Sequence, residues 1–227
     1  MVKLVYLGHS CFILSHEQDS IIFDPYINGN AGAGNVSPAD VQVDYVLVSH
    51  AHADHLGDAV EICQNSNAVL VSTFEVGNLC RSKGVSRIHT GHVGGRVNFP
   101  FGYLRFTPAL HGSGVAGGLA CGFYLNYHQV GIYFAGDTAL FSDMKLLGQL
   151  EEIDYALLPI GDNYTMGPAD AEMAVEFLQP QVVVPMHYNT FEQIVQDPQD
   201  FKKTIEKKGL AKVAIMAPGQ EMEITHS

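Results

Sequence analysis

Six consecutive residues carry the strongest chemical signal in the chain: His50-Ala51-His52-Ala53-Asp54-His55. Imidazole nitrogens and carboxylate oxygens are the donors that divalent transition ions prefer. The run follows directly on an apolar segment, VDYVLVS (43–49). On extended backbone, residues i and i+2 point to one side, so His50 and His52 can reach one ion together. Asp54 and His55 fall where the chain turns into the next helix, displaced towards a second ion. Four donors within six residues crowd a single tetrahedral centre, so the spacing argues for two ions. The competing reading is an exposed, His-rich polar loop. With this chain's own usage of His and Asp, the pattern arises by accident in roughly one chain per thousand.

Three further donors close strand-like segments. His111 ends YLRFTPAL (103–110), Asp137 ends VGIYFAG (130–136), and His187 follows VVVP (182–185) after Met186. Taken singly, a strand-end histidine is more often a hydrogen-bonded surface residue. As a set, these ligands would share one sheet edge, where open α/β sheets place their sites. Two ions need about six or seven ligands. The predicted set is therefore His50, His52, Asp54, His55, His111, Asp137 and His187. Zinc suits these donors best, and manganese, iron, nickel or cobalt also fit.

The elements that must position these residues alternate in kind. Segments 2–7, 11–14 and 20–23 read as strands of an antiparallel meander. A Gly- and Asn-rich loop, 26–39, follows and is long enough to be functional or mobile. Then come a buried strand (43–49), a helix near 56–65, a strand (68–72) and a helix near 74–82. The pattern repeats, with strands at 96–99, 103–110, 119–125 and 130–136. After them come a helix near 141–150, a strand (154–160) and a helix near 169–178, with Pro168 suited to its first turn. A strand at 182–185, a helix near 199–208 and a segment at 212–217 complete the chain. Strands followed by alternating strand and helix occur twice. That predicts a four-layer αββα sandwich of two mixed sheets in one domain spanning 1–227.

Composition limits the function classes. Lys plus Arg total 12 against 24 Asp plus Glu, a formal charge of −12. That balance repels phosphate backbones, so no nucleic-acid partner is expected. A small-molecule substrate is expected, and bound cations would admit even an anionic one. The sequence offers no apolar run of about 18 residues and no leader pattern, which predicts a cytoplasmic protein without a membrane partner. Cys11, Cys63, Cys80 and Cys121 lack C-x-x-C pairing and read as small buried hydrophobes. The aromatic turn Phe99-Pro100-Phe101 reads as exposed, a surface for homo-oligomer formation.

At this point the pattern closely resembles the metallo-β-lactamase superfamily over essentially the whole chain, its five motifs falling in order at Asp24, His50 to His55, His111, Asp137 and His187. The phrases GHSCF (8–12), LPIGDNYTMGPADA (158–171) and VPMHYNTF (184–191) are similar to one branch, small metal-dependent hydrolases related to ascorbate-6-phosphate lactonase. The resemblance implies that His50, His52 and His111 hold one metal and that Asp54, His55 and His187 hold the other. It implies that Asp137 bridges them, and that Asp24 orients a ligating imidazole from behind. The function implied is hydrolysis of a small ester, lactone or phosphodiester by a metal-bridging hydroxide, with Asp54 and Asp137 orienting it.

Other residues carry two readings each. His9 could face the metals as a proton donor or oxyanion partner, or stabilise its own turn. Asp162, Asn163 and Tyr164 could line the cleft or serve turn chemistry. The loops 26–39 and 112–118 would shape the entrance. His16, His89, His92, His128 and His226 read as surface residues without partners. Two rival functions stand beside hydrolysis: a mononuclear iron dioxygenase, since persulfide dioxygenases of the superfamily keep H-x-H-x-D-H, and a non-catalytic metal-binding protein. His52 in place of a carboxylate tilts away from the oxygen-reducing di-iron relatives, whose matching motif uses Glu.

Overall fold

A computed structural model describes residues 1–17 and 19–226. The first three strands, β1 (Val2–Gly8), β2 (Cys11–Ser15) and β3 (Ser20–Phe23), form the expected meander. β4 (Tyr45–Leu47), β5 (Val69–Thr73) and β6 (Ile88–Gly91) extend it in parallel. The helical elements between them are α1 (Ala53–Leu56), α2 (Ala59–Ser66) and α3 (Phe74–Ser82). The second half holds β7 (Arg96–Phe99), β8 (Gly102–Pro108), β9 (Cys121–Tyr127) and β10 (Val130–Phe134) as an antiparallel set. β11 (Tyr155–Pro159), β12 (Val182–Met186) and β13 (Lys212–Val213) then add in parallel. The helices here are α4 (Met144–Leu150), α5 (Pro168–Leu178) and α6 (Pro198–Lys207). The last strand, β14 (Glu221–Ile224), pairs with β1.

The result is two seven-stranded mixed sheets, ordered β14-β1-β2-β3-β4-β5-β6 and β13-β12-β11-β10-β9-β8-β7. Each has an antiparallel half and a parallel half, so the two halves of the chain repeat in topology although not in residues. The αββα sandwich expected from the sequence is what forms. Strand alternation builds it: Phe12 and Leu14 of β2 enter the core between the sheets, while Cys11 and Ile13 face the smaller core shared with α2 and α3. Phe23 and Phe134 stack across the sandwich with ring centres 4.9 Å apart. Met144, Val175 and Phe201 seat α4, α5 and α6 against the second sheet. The four cysteines are unbridged and buried, as expected. Among the described residues no helix is long and apolar enough to cross a membrane.

Several expectations need correction. β6 and β14 were not foreseen: Ile88–Gly91 is half-buried throughout, and Glu221–Ile224 places two glutamates on the outside. The helix expected near 56–65 is two elements, because Gly57 has φ 40° and a Cβ there would lie 2.4 Å from the Pro25 carbonyl oxygen. The aromatic turn is not an exposed patch, since Phe101 is buried and rests on Tyr127. Nor are the remaining histidines without partners. His128 pairs with the Asp19 carboxylate and stacks on His16, and His226 pairs with Asp154.

Candidate metal centre

β3 and β4 run parallel in one sheet, and β8, β10 and β12 share one direction in the other; the donors that follow them meet at one edge of the sandwich. Asp24 follows β3, the 50–55 run follows β4, His111 follows β8, Asp137 follows β10 and His187 follows β12. All seven residues expected as ligands come together there.

One triad consists of His50, His52 and His111. The Nδ1 of His52 lies 3.0 Å from the Nε2 of His50 and 3.2 Å from the Nε2 of His111. Those separations approach the roughly 3.3 Å edge that nitrogens would span around a tetrahedral ion with bonds near 2.0 Å. Hydrogen bonding alone does not account for them. The Ser49 hydroxyl donates to Asp24 Oδ2 (2.6 Å), so it accepts from His50 Nδ1 (2.9 Å), which leaves a lone pair on His50 Nε2. His52 Nδ1 carries at most one proton and cannot serve as donor and acceptor at once. A cation at the centre would satisfy all three nitrogens.

The second group is Asp54, His55 and His187, with His9 beside them. His55 Nδ1 donates to Asp24 Oδ2 (2.7 Å), which fixes its tautomer and turns Nε2 towards the cleft. His55 Nε2 and His187 Nε2 lie 3.2 and 3.1 Å from Asp137 Oδ2, and both lie 3.9 Å from Asp54 Oδ2. Yet both nitrogens, and Asp137 Oδ1, are buried without a hydrogen bond. They are near in distance but misaligned for N–H···O, so they converge on a shared point rather than on each other. Buried polar atoms left open in this way fit a bound cation. Asp137 Oδ2 is also 3.6 Å from His111 Nε2, which places it between the two groups.

Asp24 is fully buried and accepts three hydrogen bonds: from Ser49 N–H (2.7 Å), the Ser49 hydroxyl and His55 Nδ1. One carboxylate thus presets an imidazole in each group, His55 directly and His50 through Ser49. Burial raises its pKa, and the three donors work against that rise. Burial also lowers His50, to about 2, and lowers His111, so both are neutral donors near neutrality. His55 behaves oppositely. Burial disfavours its charge, but Asp137 and Asp24 on either side hold its pKa well above the ordinary value.

Both ring nitrogens of His9 have partners. Its Nε2 meets Asp54 Oδ2 at 3.1 Å and its Nδ1 meets Thr190 Oγ1 at 3.0 Å. Burial lowers its pKa to about 4, so the ring is neutral and donates to Asp54 through Nε2–H. Although burial acts to raise Asp54, the His9 bond holds its carboxyl below the usual range. The backbone that makes these contacts is unusual. His9, Asp24 and His187 have φ of 57°, 37° and 54°, and such left-handed conformations gather at functional sites. His187 N–H donates to the His9 carbonyl (2.8 Å), tying the β1–β2 turn to the end of β12.

A cleft of about 260 Å³ opens onto the site, lined by His52, Asp54, His111, Asp137, Tyr164, His187 and Phe191. Of the residues given two readings, Tyr164 lines it, whereas Asp162 and Asn163 do turn chemistry at φ 63° and 54°. The 26–39 loop is anchored rather than loose: Asn30 donates to the carbonyls of Leu7, Gly8 and Tyr26. The 112–118 loop is tied to the ligand run by Ala51 N–H to the Ser113 carbonyl. Sequence reading missed Ser49, Thr190 and Phe191. Ser49 directly precedes His50, but nothing in the sequence shows that its hydroxyl turns back to Asp24.

Comparison with known proteins fits this geometry. The family described as the Beta-lactamase superfamily domain matches residues 3–187. The chain belongs to the metallo-β-lactamase superfamily. A relative from Natranaerobius thermophilus, named a UPF0173 metal-dependent hydrolase, is 49% identical over 98% of this chain and 100% of its own length. The Bacillus subtilis member YtkL, similarly named, is 41% identical over 98% of this chain and all of its own. The solved structure of Igni18, described as a novel metallo hydrolase from Ignicoccus hospitalis, superposes with a TM-score of 0.91 at 38% identity. That match covers 99% of each chain. A superfamily member with this donor set is metal-dependent, and the clusters above are the residues that could hold the metal.

Proposed function

We propose that this chain is a binuclear metal-dependent hydrolase acting on a small ester, lactone or phosphodiester. The observation that carries the reading is the convergence of two donor triads on either side of one carboxylate oxygen, Asp137 Oδ2. The names of relatives up to 49% identical over nearly the full chain support the hydrolase class. When bound, a pair of divalent ions supplies a shared water of lowered pKa, the bridging hydroxide, and polarises the carbonyl or phosphoryl oxygen under attack.

The chain's own residues do the rest. His50, His52 and His111 would hold one ion, Asp54, His55 and His187 the other, and Asp137 both. Zinc fits these nitrogen and oxygen donors best, with manganese, iron, nickel and cobalt as alternatives. Asp24 keeps His50 and His55 in the tautomers that present Nε2. His9 holds one oxygen of Asp54, so the carboxylate meets the cleft in one orientation and can accept a hydrogen bond from the attacking water. His9 is therefore a positioning residue.

Metal analysis joined to a substrate panel tests this. The expected result is two ions per chain and turnover of an activated ester or of bis(p-nitrophenyl) phosphate. One iron per chain with oxygen uptake would instead identify a dioxygenase, and full metal loading without hydrolysis a non-catalytic metal protein. His52→Ala should lose one ion and the activity together; retention of both contradicts the assignment.

A further inference from the structure

The cleft says something about the part of the substrate that does not react. Beyond the candidate ligands, its walls are two aromatic rings, Tyr164 and Phe191, and no Lys or Arg is among the lining residues. Tyr164 is 54% exposed, yet the turn carrying it is fixed. Asp162 N–H donates to the Met166 carbonyl (3.0 Å), and Met166 N–H to the Thr138 carbonyl (2.9 Å), beside Asp137. Phe191 is held edge-on to His9, with ring centres 5.3 Å apart. Leu110, the residue before His111, is also exposed, as is Val195 in the loop after Phe191. Tyr164 thus keeps much of its ring in water on a braced turn, and Phe191, half-exposed, rests one edge on His9 and leaves the rest of its ring to the cleft.

Charge points the same way. Asp54 and Asp137 line the cleft, and the whole chain is formally −12. Divalent ions would tolerate an anion at the reacting atom itself. A second anionic group lying over Tyr164 and Phe191 would meet no cation there and would lose its hydration against two rings.

We propose that Tyr164 and Phe191 clamp an uncharged aromatic or bulky apolar arm next to the scissile bond, which makes neutral carboxylic esters or lactones the substrate class. This rests on the hydrolase reading above. In the reaction, the acyl C–O bond breaks, the oxygen of water joins the acyl carbon, and one of its protons passes to the departing oxygen. The products are an alcohol and a carboxylic acid, joined in one molecule when a lactone opens. Two flat rings offer stacking and apolar contact but no fixed donor, so the clamp selects by shape and neutrality rather than by a hydrogen-bond pattern.

The test uses metal-loaded protein and esters whose leaving alcohols are similar in basicity. Benzyl acetate and ethyl phenylacetate carry the arm on opposite sides of the bond, ethyl acetate lacks it, and 4-(acetoxymethyl)benzoate adds a charge to it. At least one of the first two should exceed ethyl acetate by about tenfold or more in kcat/KM, mainly through KM. The charged ester should fall about tenfold below benzyl acetate. Tyr164→Ala and Phe191→Ala should each shrink the arm-over-ethyl ratio, and Tyr164→Phe should keep it. An unchanged ratio in both alanine variants, no preference for either arm, or preference for the charged ester or for bis(p-nitrophenyl) phosphate overturns the clamp. Saturation-transfer NMR with benzyl alcohol separates this from failure of the hydrolase reading, since the probe needs no turnover. Signal that weakens in Tyr164→Ala and Phe191→Ala supports the clamp even if no ester is cleaved. Equal signal in wild type and both variants overturns it.

Discussion

The two donor triads reach the same cleft but are built on different physics. His50, His52 and His111 form an all-imidazole group, and His52 and His111 are only half-buried. Among the described residues, their support from behind is Ser49, on His50. Asp54, His55 and His187 carry their own carboxylate, and two further groups brace them: Asp24 behind His55 and His9 behind Asp54. His55 and His187 are almost wholly buried. In the first triad burial keeps two of the imidazoles, His50 and His111, as neutral donors. The second is a field of negative charge that holds a cation's place with a proton on His55 until one arrives. Similar nitrogen donors therefore differ in readiness according to what stands behind them.

Removing the group common to both should have the largest effect. Asp137→Ala takes away the oxygen shared by His55, His187 and His111. Both ions should be lost, with activity down by on the order of a thousandfold or more. Metal counting by mass spectrometry checks this, and loss of a single ion would contradict the bridging position. Asp24→Asn should come next. His55 loses a charged acceptor, while His50 is affected only through Ser49. Metal affinity should fall about 10–100-fold at the second triad and less at the first. A variant that weakens the first triad more would reverse the comparison.

A difference in pH response follows from the same asymmetry. A metal takes only an unprotonated imidazole. Burial lowers His50, to about 2, and lowers His111, so protons do not compete for them near neutrality. Despite its burial, His55 is held well above the ordinary value by Asp137 and Asp24, so in the metal-free protein it is protonated at neutral pH. Binding at the second triad must release that proton, and its apparent affinity should rise with pH from 6 to 8. The first ion, with His50 and His111 already neutral, should show the shallower dependence over that range. Calorimetric titration in buffers of different ionisation enthalpy reads both quantities. Equal pH slopes for the two ions would show that the triads do not differ as described.

The same contrast marks what the sequence could reveal. The ligands were legible because each sits at the end of an apolar run, and strand ends fall on one edge once the strands are parallel. The sandwich was legible because alternation in segments such as CFIL (11–14) separates an inner from an outer face. What lay hidden depended on approach between distant segments. His9 and Asp54 are 45 residues apart, and His9 and Thr190 are 181 apart. No spacing rule connects them, so the partners of His9 are not legible in the sequence. β14 was missed for a related reason. Its alternation, Glu-Met-Glu-Ile, is short, and it is a strand only because β1 offers it a free edge.

Ser49→Ala is the smallest and most discriminating change. It removes the acceptor for His50 Nδ1 and one of three donors to Asp24, while the Ser49 N–H bond to Asp24 Oδ1 persists through the backbone. Little space is opened, because Ser49 Cβ remains against Gly136. Stability should fall by about 1 kcal/mol, the usual net worth of one hydrogen bond. The ring of His50 would then lose the bond that selects its tautomer, and affinity at the first triad should drop by about tenfold. His55 keeps its direct bond to Asp24, so the second triad should hold its ion nearly as before. If instead both ions weaken equally, the hydroxyl supports the shared frame rather than one imidazole, and the two triads are not separately braced.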